Sequence, residues 1–119
     1  MNLVVDKGNS LAKVGVFLDK VLIQKDTFAE AGDLKKFIQN FSGENFILSS
    51  VTLDHAPVMD WAAHIATRYI LTSSLPLPVN NLYGTPDTLG VDRIAAVCGA
   101  MQQFPSTHCL VIDAGTCVT

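Results

Sequence analysis

The chain has 119 residues, of which 49% are hydrophobic and 16% charged, with a formal net charge of −3. This is the length of one ordinary domain with enough apolar surface for a core. Eight Lys plus Arg against eleven Asp plus Glu leave no basic run that would neutralise a row of phosphates, so nucleic acid is not an expected partner. No apolar run approaches the roughly 20 residues that cross a bilayer, and no basic region with an apolar signal core opens the chain. The expectation is a soluble, cytoplasmic protein with no membrane partner. The three cysteines, Cys98, Cys109 and Cys117, lack the spacing of metal or redox motifs and read as small buried hydrophobes in a reducing compartment.

Along the chain, Leu3 to Asp6, Leu11 to Phe17 and Val21 to Ile23 are short apolar runs, the last two separated by an Asp19-Lys20 turn. They predict a three-stranded antiparallel meander. The period then changes: Leu34, Phe37, Ile38 and Phe41 describe one apolar helix face from Asp33, a candidate cap, to Phe41. Phe46 to Val51 reads as a strand. Val58, Trp61, Ala62, Ile65 and Tyr69 repeat the helical spacing behind Pro57, and Tyr69 to Ser73 suggests a further short strand. The loop from Leu75 to Gly90, with Pro76, Pro78, Pro86, Asn80, Asn81 and Gly84, is longer than a usual connection and points to function. Val91 to Phe104 is an Ala-rich helix in which Gly99 permits close packing, and Cys109 to Ile112 reads as a last strand.

Three stretches carry candidate chemistry. In "DKGNSLAK", Asp6 to Lys13, a strand ends in a carboxylate and turns through Gly8, where backbone N–H groups can approach phosphate oxygens, with Ser10 as a hydroxyl and Lys13 as a cation. The same residues also suit an ordinary hairpin turn in which Asp6 and Asn9 bond their own backbone. "DAGTCVT", Asp113 to Thr119, repeats the pattern with Thr116 as the hydroxyl. Two such turns suggest two sides of a phosphate site in a duplicated fold. In "GVDRIAA", Gly90 to Ala96, Asp92 suits a helix N-terminus, yet an acid beside the Arg93 guanidinium also suits a general base next to a grip for an anionic substrate. His55, His64 and His108 show no metal spacing and read as surface or satisfied histidines, Trp61 as core or interface, and Lys35 and Lys36 as a solvated helix edge. Tyr83, an aromatic in a Pro/Gly loop, either meets a ligand or covers the core.

"DKGNSLAK", "YGTPDTLGVDR" and "DAGTCVT", in this order and at these intervals, resemble the type III pantothenate kinases of the acetate and sugar kinase, Hsp70 and actin superfamily. The resemblance spans nearly the whole chain. It implies an α/β fold, a ribonuclease H-like (actin-like ATPase) lobe in which a three-stranded antiparallel meander precedes alternating strands and helices in a mixed sheet. Residues 1–112 would form that lobe, with 113–119 starting a second lobe that in the family continues well beyond this turn, so the chain looks like the N-terminal half and is not expected to be active alone. The implied reaction is ATP-dependent phosphorylation of pantothenate, the first step of coenzyme A synthesis. Asp6, Lys7, Gly8, Asn9, Ser10, Leu11, Ala12 and Lys13 would form the first phosphate turn, although Lys7 stands where an apolar residue is common. Gly90, Val91, Asp92 and Arg93 would contact pantothenate, Asp92 as general base and Arg93 as anchor, with Tyr83 lining the pocket. Thr116 would touch ATP phosphate and Asp113 hold a monovalent cation, potassium or ammonium, while magnesium would arrive with ATP or another nucleoside triphosphate. A homodimer is implied. Another kinase of the superfamily, a non-catalytic relative of the same fold, and a module that dimerises through Val91 to Phe104 remain alternatives.

Overall fold

The structure is a computed structural model that describes residues 1–52 and 54–114. It contains two compact units, Met1–Leu71 and the chain from Thr72 onward.

The first unit is one mixed sheet with two helices. β1 (Asn2–Lys7), β2 (Ala12–Leu18) and β3 (Val21–Phe28) form the antiparallel meander, α1 (Ala31–Asn40) follows, and β4 (Asn45–Ser50), α2 (Ala56–Trp61) and β5 (Thr67–Ile70) complete the order β3-β2-β1-β4-β5. β1 pairs antiparallel with β2 and parallel with β4, and β4 pairs parallel with β5. Period-2 alternation sends Leu3, Val5, Val14, Val16, Phe46 and Leu48 to one face, where Leu34, Ile38, Val58, Ala62 and Ile65 join them in a single core. Phe28 and Phe37 extend that core with ring centroids 5.3 Å apart.

Several boundaries differ from those expected. β3 continues through the polar Gln24-Lys25-Asp26-Thr27, because its backbone stays paired with β2 as far as Ala12 opposite Phe28 although an edge strand offers little burial to mark it. α1 begins before Asp33: the Glu30 carbonyl accepts the N–H groups of Asp33 and Leu34, and Asp33 is a first-turn acid paired with Lys36 at 3.6 Å. α2 stops at Trp61 rather than running to Tyr69, and the Arg68 guanidinium donates to the carbonyls of Ala62, Ala63 and Ile65 in the turn that closes it. Ala62 and Ile65 keep their burial after the helix has ended, so the helical spacing recorded a buried stripe and not its backbone. Tyr69 is exposed in β5.

Among its described residues the second unit holds a 3-10 turn at Pro86–Thr88 and α3 (Val91–Gln103), with Ile94 buried and Phe104 at the C-cap. Gly99 meets nothing within 4 Å, so the close packing expected of it is not made among the described residues. Residues 109–112 are not a strand: Leu110 and Ile112 are exposed, and an apolar run becomes a strand only where a neighbour supplies its ladder. Cys109 is likewise exposed, against the expected burial, whereas burial pushes the half-buried Cys98 thiol up. No helix among the described residues is long and apolar enough to cross a membrane.

Gly43, between α1 and β4, has no room for a side chain. A Cβ there would meet the Phe41 ring and stand 2.7 Å from the Met1 carbonyl oxygen. Gly43→Ala is expected to cost about 1–3 kcal/mol through overpacking, read as a lower urea midpoint at unchanged slope. An unshifted midpoint would show that the N-terminal residue simply moves aside.

Candidate functional site

The first unit contributes the turn between β1 and β2. The Gly8 N–H donates to the Leu11 carbonyl at 3.0 Å, so this donor is spent inside the hairpin and is not free as the sequence suggested. The N–H groups of the exposed Asn9 and Ser10 make no hydrogen bond among the described residues. Lys7, Gly8, Ser10 and Ala12 border a cavity of about 120 Å³ closed by Phe28, Leu34 and the half-buried Trp61. It is far below the roughly 300 Å³ at which small-molecule pockets begin, too small to hold a nucleoside by itself.

Asp6 does not cap that turn. It is half-buried on the sheet face opposite Leu3 and Val5, and its Oδ1 accepts the Ser49 hydroxyl at 3.1 Å. Register places Lys13 across from Asp6 on β2 and Ser49 beside it on β4, so acid, hydroxyl and amine share one face at the carboxyl end of two parallel strands. Lys13 is exposed and makes no ion pair among the described residues. Ser49 is the residue that sequence reasoning missed: a serine ending an apolar strand was a signal only once β4 was known to lie parallel to β1.

The second unit contributes the start of α3. Gly90 is the N-cap, its carbonyl accepts the N–H groups of Arg93 and Ile94, and Asp92 Oδ1 accepts the Arg93 N–H at 2.9 Å. Arg93 and Asp113 line one cavity of about 300 Å³ whose other walls include Leu77, Val79, Leu89 and Val97. Asn80, Asn81 and Leu82 also border it, and Asn81 Oδ1 accepts the N–H of Tyr83, whose half-exposed ring is not part of the lining. Asp113 follows irregular chain where Asp6 ends a strand, so the sequence echo between them has no structural counterpart among the described residues. Thr116 lies outside those residues.

The described residues contain no group of three or more His, Cys, Asp or Glu around a common point, so Asp113 offers one carboxylate and no ligand set for a monovalent cation. Asp6 suits magnesium better, since that ion is commonly held by one or two carboxylates together with the phosphates of its nucleotide. Of the histidines, His64 Nε2 bonds the Phe41 carbonyl at 3.0 Å, while His55 Nδ1 is buried without a partner among the described residues.

A mixed sheet ordered 3-2-1-4-5, with a hairpin turn and a parallel neighbour at the carboxyl end of its central strand, defines the class: an α/β lobe of the actin-like ATPase and kinase type. The model of the type III pantothenate kinase family matches residues 2–119. The chain is 39% identical over 122 residues to a type III pantothenate kinase of Bacteroides fragilis, covering all of this chain and 50% of that protein. It is 38% identical over 127 residues to one of Christiangramia forsetii, covering all of this chain and 51% of the relative, and 35% identical over 121 residues to one of Cytophaga hutchinsonii, covering all of this chain and 50% of the relative. The chain therefore belongs to the type III pantothenate kinase family, and it spans about half the length of the curated relatives it matches.

Ser49→Ala leaves the half-buried Asp6 carboxylate without its hydroxyl donor. The expected loss is about 1 kcal/mol of unfolding free energy, measured as a drop in the urea midpoint; an unchanged midpoint would mean that water replaces the hydroxyl at no cost.

Proposed function

We propose that the full-length protein transfers the γ-phosphoryl group of ATP to the terminal hydroxyl of pantothenate, giving 4'-phosphopantothenate for coenzyme A synthesis. The observation that carries this reading, beside family membership, is the start of α3. There Asp92 stands next to Arg93, and Arg93 borders a largely apolar cavity of about 300 Å³. Pantothenate joins a carboxylate to a branched apolar centre through an amide, and one guanidinium on an apolar wall matches that chemistry.

In this reading residues 1–112 form the first lobe and 113–119 begin the second. Asp92 takes the proton of the attacking hydroxyl as the new O–P bond forms and the bond to the ADP oxygen breaks. Arg93 anchors the pantothenate carboxylate, and Gly90, Val91 and Tyr83 complete its surroundings. The turn Asp6 to Lys13 handles phosphate: the unbonded N–H groups of Asn9 and Ser10, the Ser10 hydroxyl and the Lys13 ammonium present donors, and Thr116 is proposed to add a further hydroxyl. Asp6 is itself an anion, so its fitting partner is the magnesium that accompanies the nucleotide and neutralises phosphate charge when bound. Asp113 is proposed to contribute its carboxylate to a monovalent-cation site. Phosphoryl transfer asks the protein mainly for alignment and charge stabilisation, which suits turns, hydroxyls and one base.

Full-length protein is expected to form ADP only when pantothenate is present. Asp92→Asn is expected to lower turnover about 100-fold to 10,000-fold, the range that general-base catalysis supplies, while nucleotide affinity measured by calorimetry is retained. Turnover near wild type in that variant would reduce Asp92 to a first-turn acid of α3. The proposed homodimer predicts a dimer mass by sedimentation at micromolar concentration, and a monomer throughout would sink it.

A further inference from the structure

Gly90 has an unremarkable backbone, with φ −57° and ψ 135°, a conformation that any L-residue adopts. Its backbone therefore does not explain the glycine. A Cβ built at Gly90 would fall 2.5 Å from Asp92 Oδ1 and 3.6 Å from its Cγ. The carboxylate is folded back over the helix start, where the same Oδ1 accepts the Arg93 N–H at 2.9 Å. Aspartate has few rotamers, and a methyl group at residue 90 would force it to leave both that hydrogen bond and its present direction.

We infer that Gly90 is a positioning residue for Asp92: its missing side chain is the slot that fixes where the carboxylate points. This rests on the proposed role of Asp92 as the base, and it adds to that role the reason why its neighbour two residues earlier is glycine. The slot leaves Oδ2 as the oxygen free for an incoming hydroxyl while Oδ1 is held by the backbone. A base held in one direction before substrate arrives needs no reorganisation in the transition state.

The test is a double-mutant cycle in the full-length protein, with Gly90→Ala, Asp92→Ala and the double variant followed by thermal unfolding and by pantothenate-dependent ADP formation. Alanine at residue 92 removes the clashing oxygen, whereas asparagine would preserve it. Gly90→Ala is expected to lower the unfolding midpoint by a few degrees more with Asp92 present than in the Asp92→Ala background, the non-additivity that contact demands. Gly90→Ala alone is expected to lower kcat about tenfold or more, within the range of a misplaced general base, without moving KM for ATP. Additive midpoints, or wild-type kcat in Gly90→Ala while Asp92→Asn is inactive, overturn the inference. If Asp92→Asn is fully active, the proposed base is wrong, and the Gly90–Asp92 contact is then decided by the midpoints alone.

Discussion

The parallel pairing of β1 with β4 is the constraint on which the first unit depends. Antiparallel neighbours can be joined by a two-residue turn, as β2 and β3 are, but a parallel neighbour must be reached by a crossover that carries the chain back to the starting edge. α1 is that crossover, and its apolar face, with Leu34 and Ile38, pins it to the sheet. The same pairing aligns the carboxyl ends of β1 and β4, which is why Asp6 and Ser49 are neighbours in space while 43 residues apart in sequence. The Lys7 carbonyl accepts the Val51 N–H one step further on and holds the two strand ends together.

Because side chains alternate along a strand, this register sets the core and the candidate site at once. Leu3, Val5, Phe46 and Leu48 point into the core, and Asp6 and Ser49 point away from it. A slip of one residue would turn the Asp6 carboxylate inward among apolar side chains, at a cost of several kcal/mol, and expose Val5 in exchange. A carboxylate at the end of an apolar strand is thus tolerable only with the register observed. The site needs no further device to keep Asp6 in place, since the hydrophobic core does so. In open α/β sheets this carboxyl edge is where ligands gather, and the turn after Asp6 is on that edge.

How much of this was legible in the sequence follows from what each signal records. The β2–β3 hairpin and α1 were legible because their patterns are local: an Asp-Lys turn, with Asp19 in the left-handed region at φ 52°, and an apolar stripe three and four residues apart. Three features were not. The end of α2 depends on Arg68 reaching back to three carbonyls, a contact that periodicity does not encode. Residues 109–112 pair with no strand among the described residues, and an apolar run looks the same with or without a partner. The role of Ser49 depends on a register between strands that only the fold supplies. Motif order singled out the candidate residues, while the hydrogen bond to Asp6 comes from tertiary structure and the one to Asp92 is local, from the N–H of the next residue.

Glycine shows the same division more sharply. Sequence reasoning gives glycine to turns that require positive φ, yet no described glycine has it, and the left-handed positions are taken by Asp19 and by Ser106 at φ 57°. Asparagine, aspartate and serine in turns can satisfy that geometry through their own polar side chains. Three of them instead leave space. Gly15 in β2 gives room to Phe17 and Leu22 where β2 and β3 shift register, Gly43 to the Phe41 ring and the Met1 carbonyl, and Gly90 to the Asp92 carboxylate. In the first two cases the space admits apolar atoms or backbone and serves packing. In the third it admits a charged oxygen at a helix start, where Asp92 Oδ1 accepts the Arg93 N–H. A glycine that makes room for a carboxylate sets where that carboxylate points as well as how the helix starts, and that separates Gly90 from the rest.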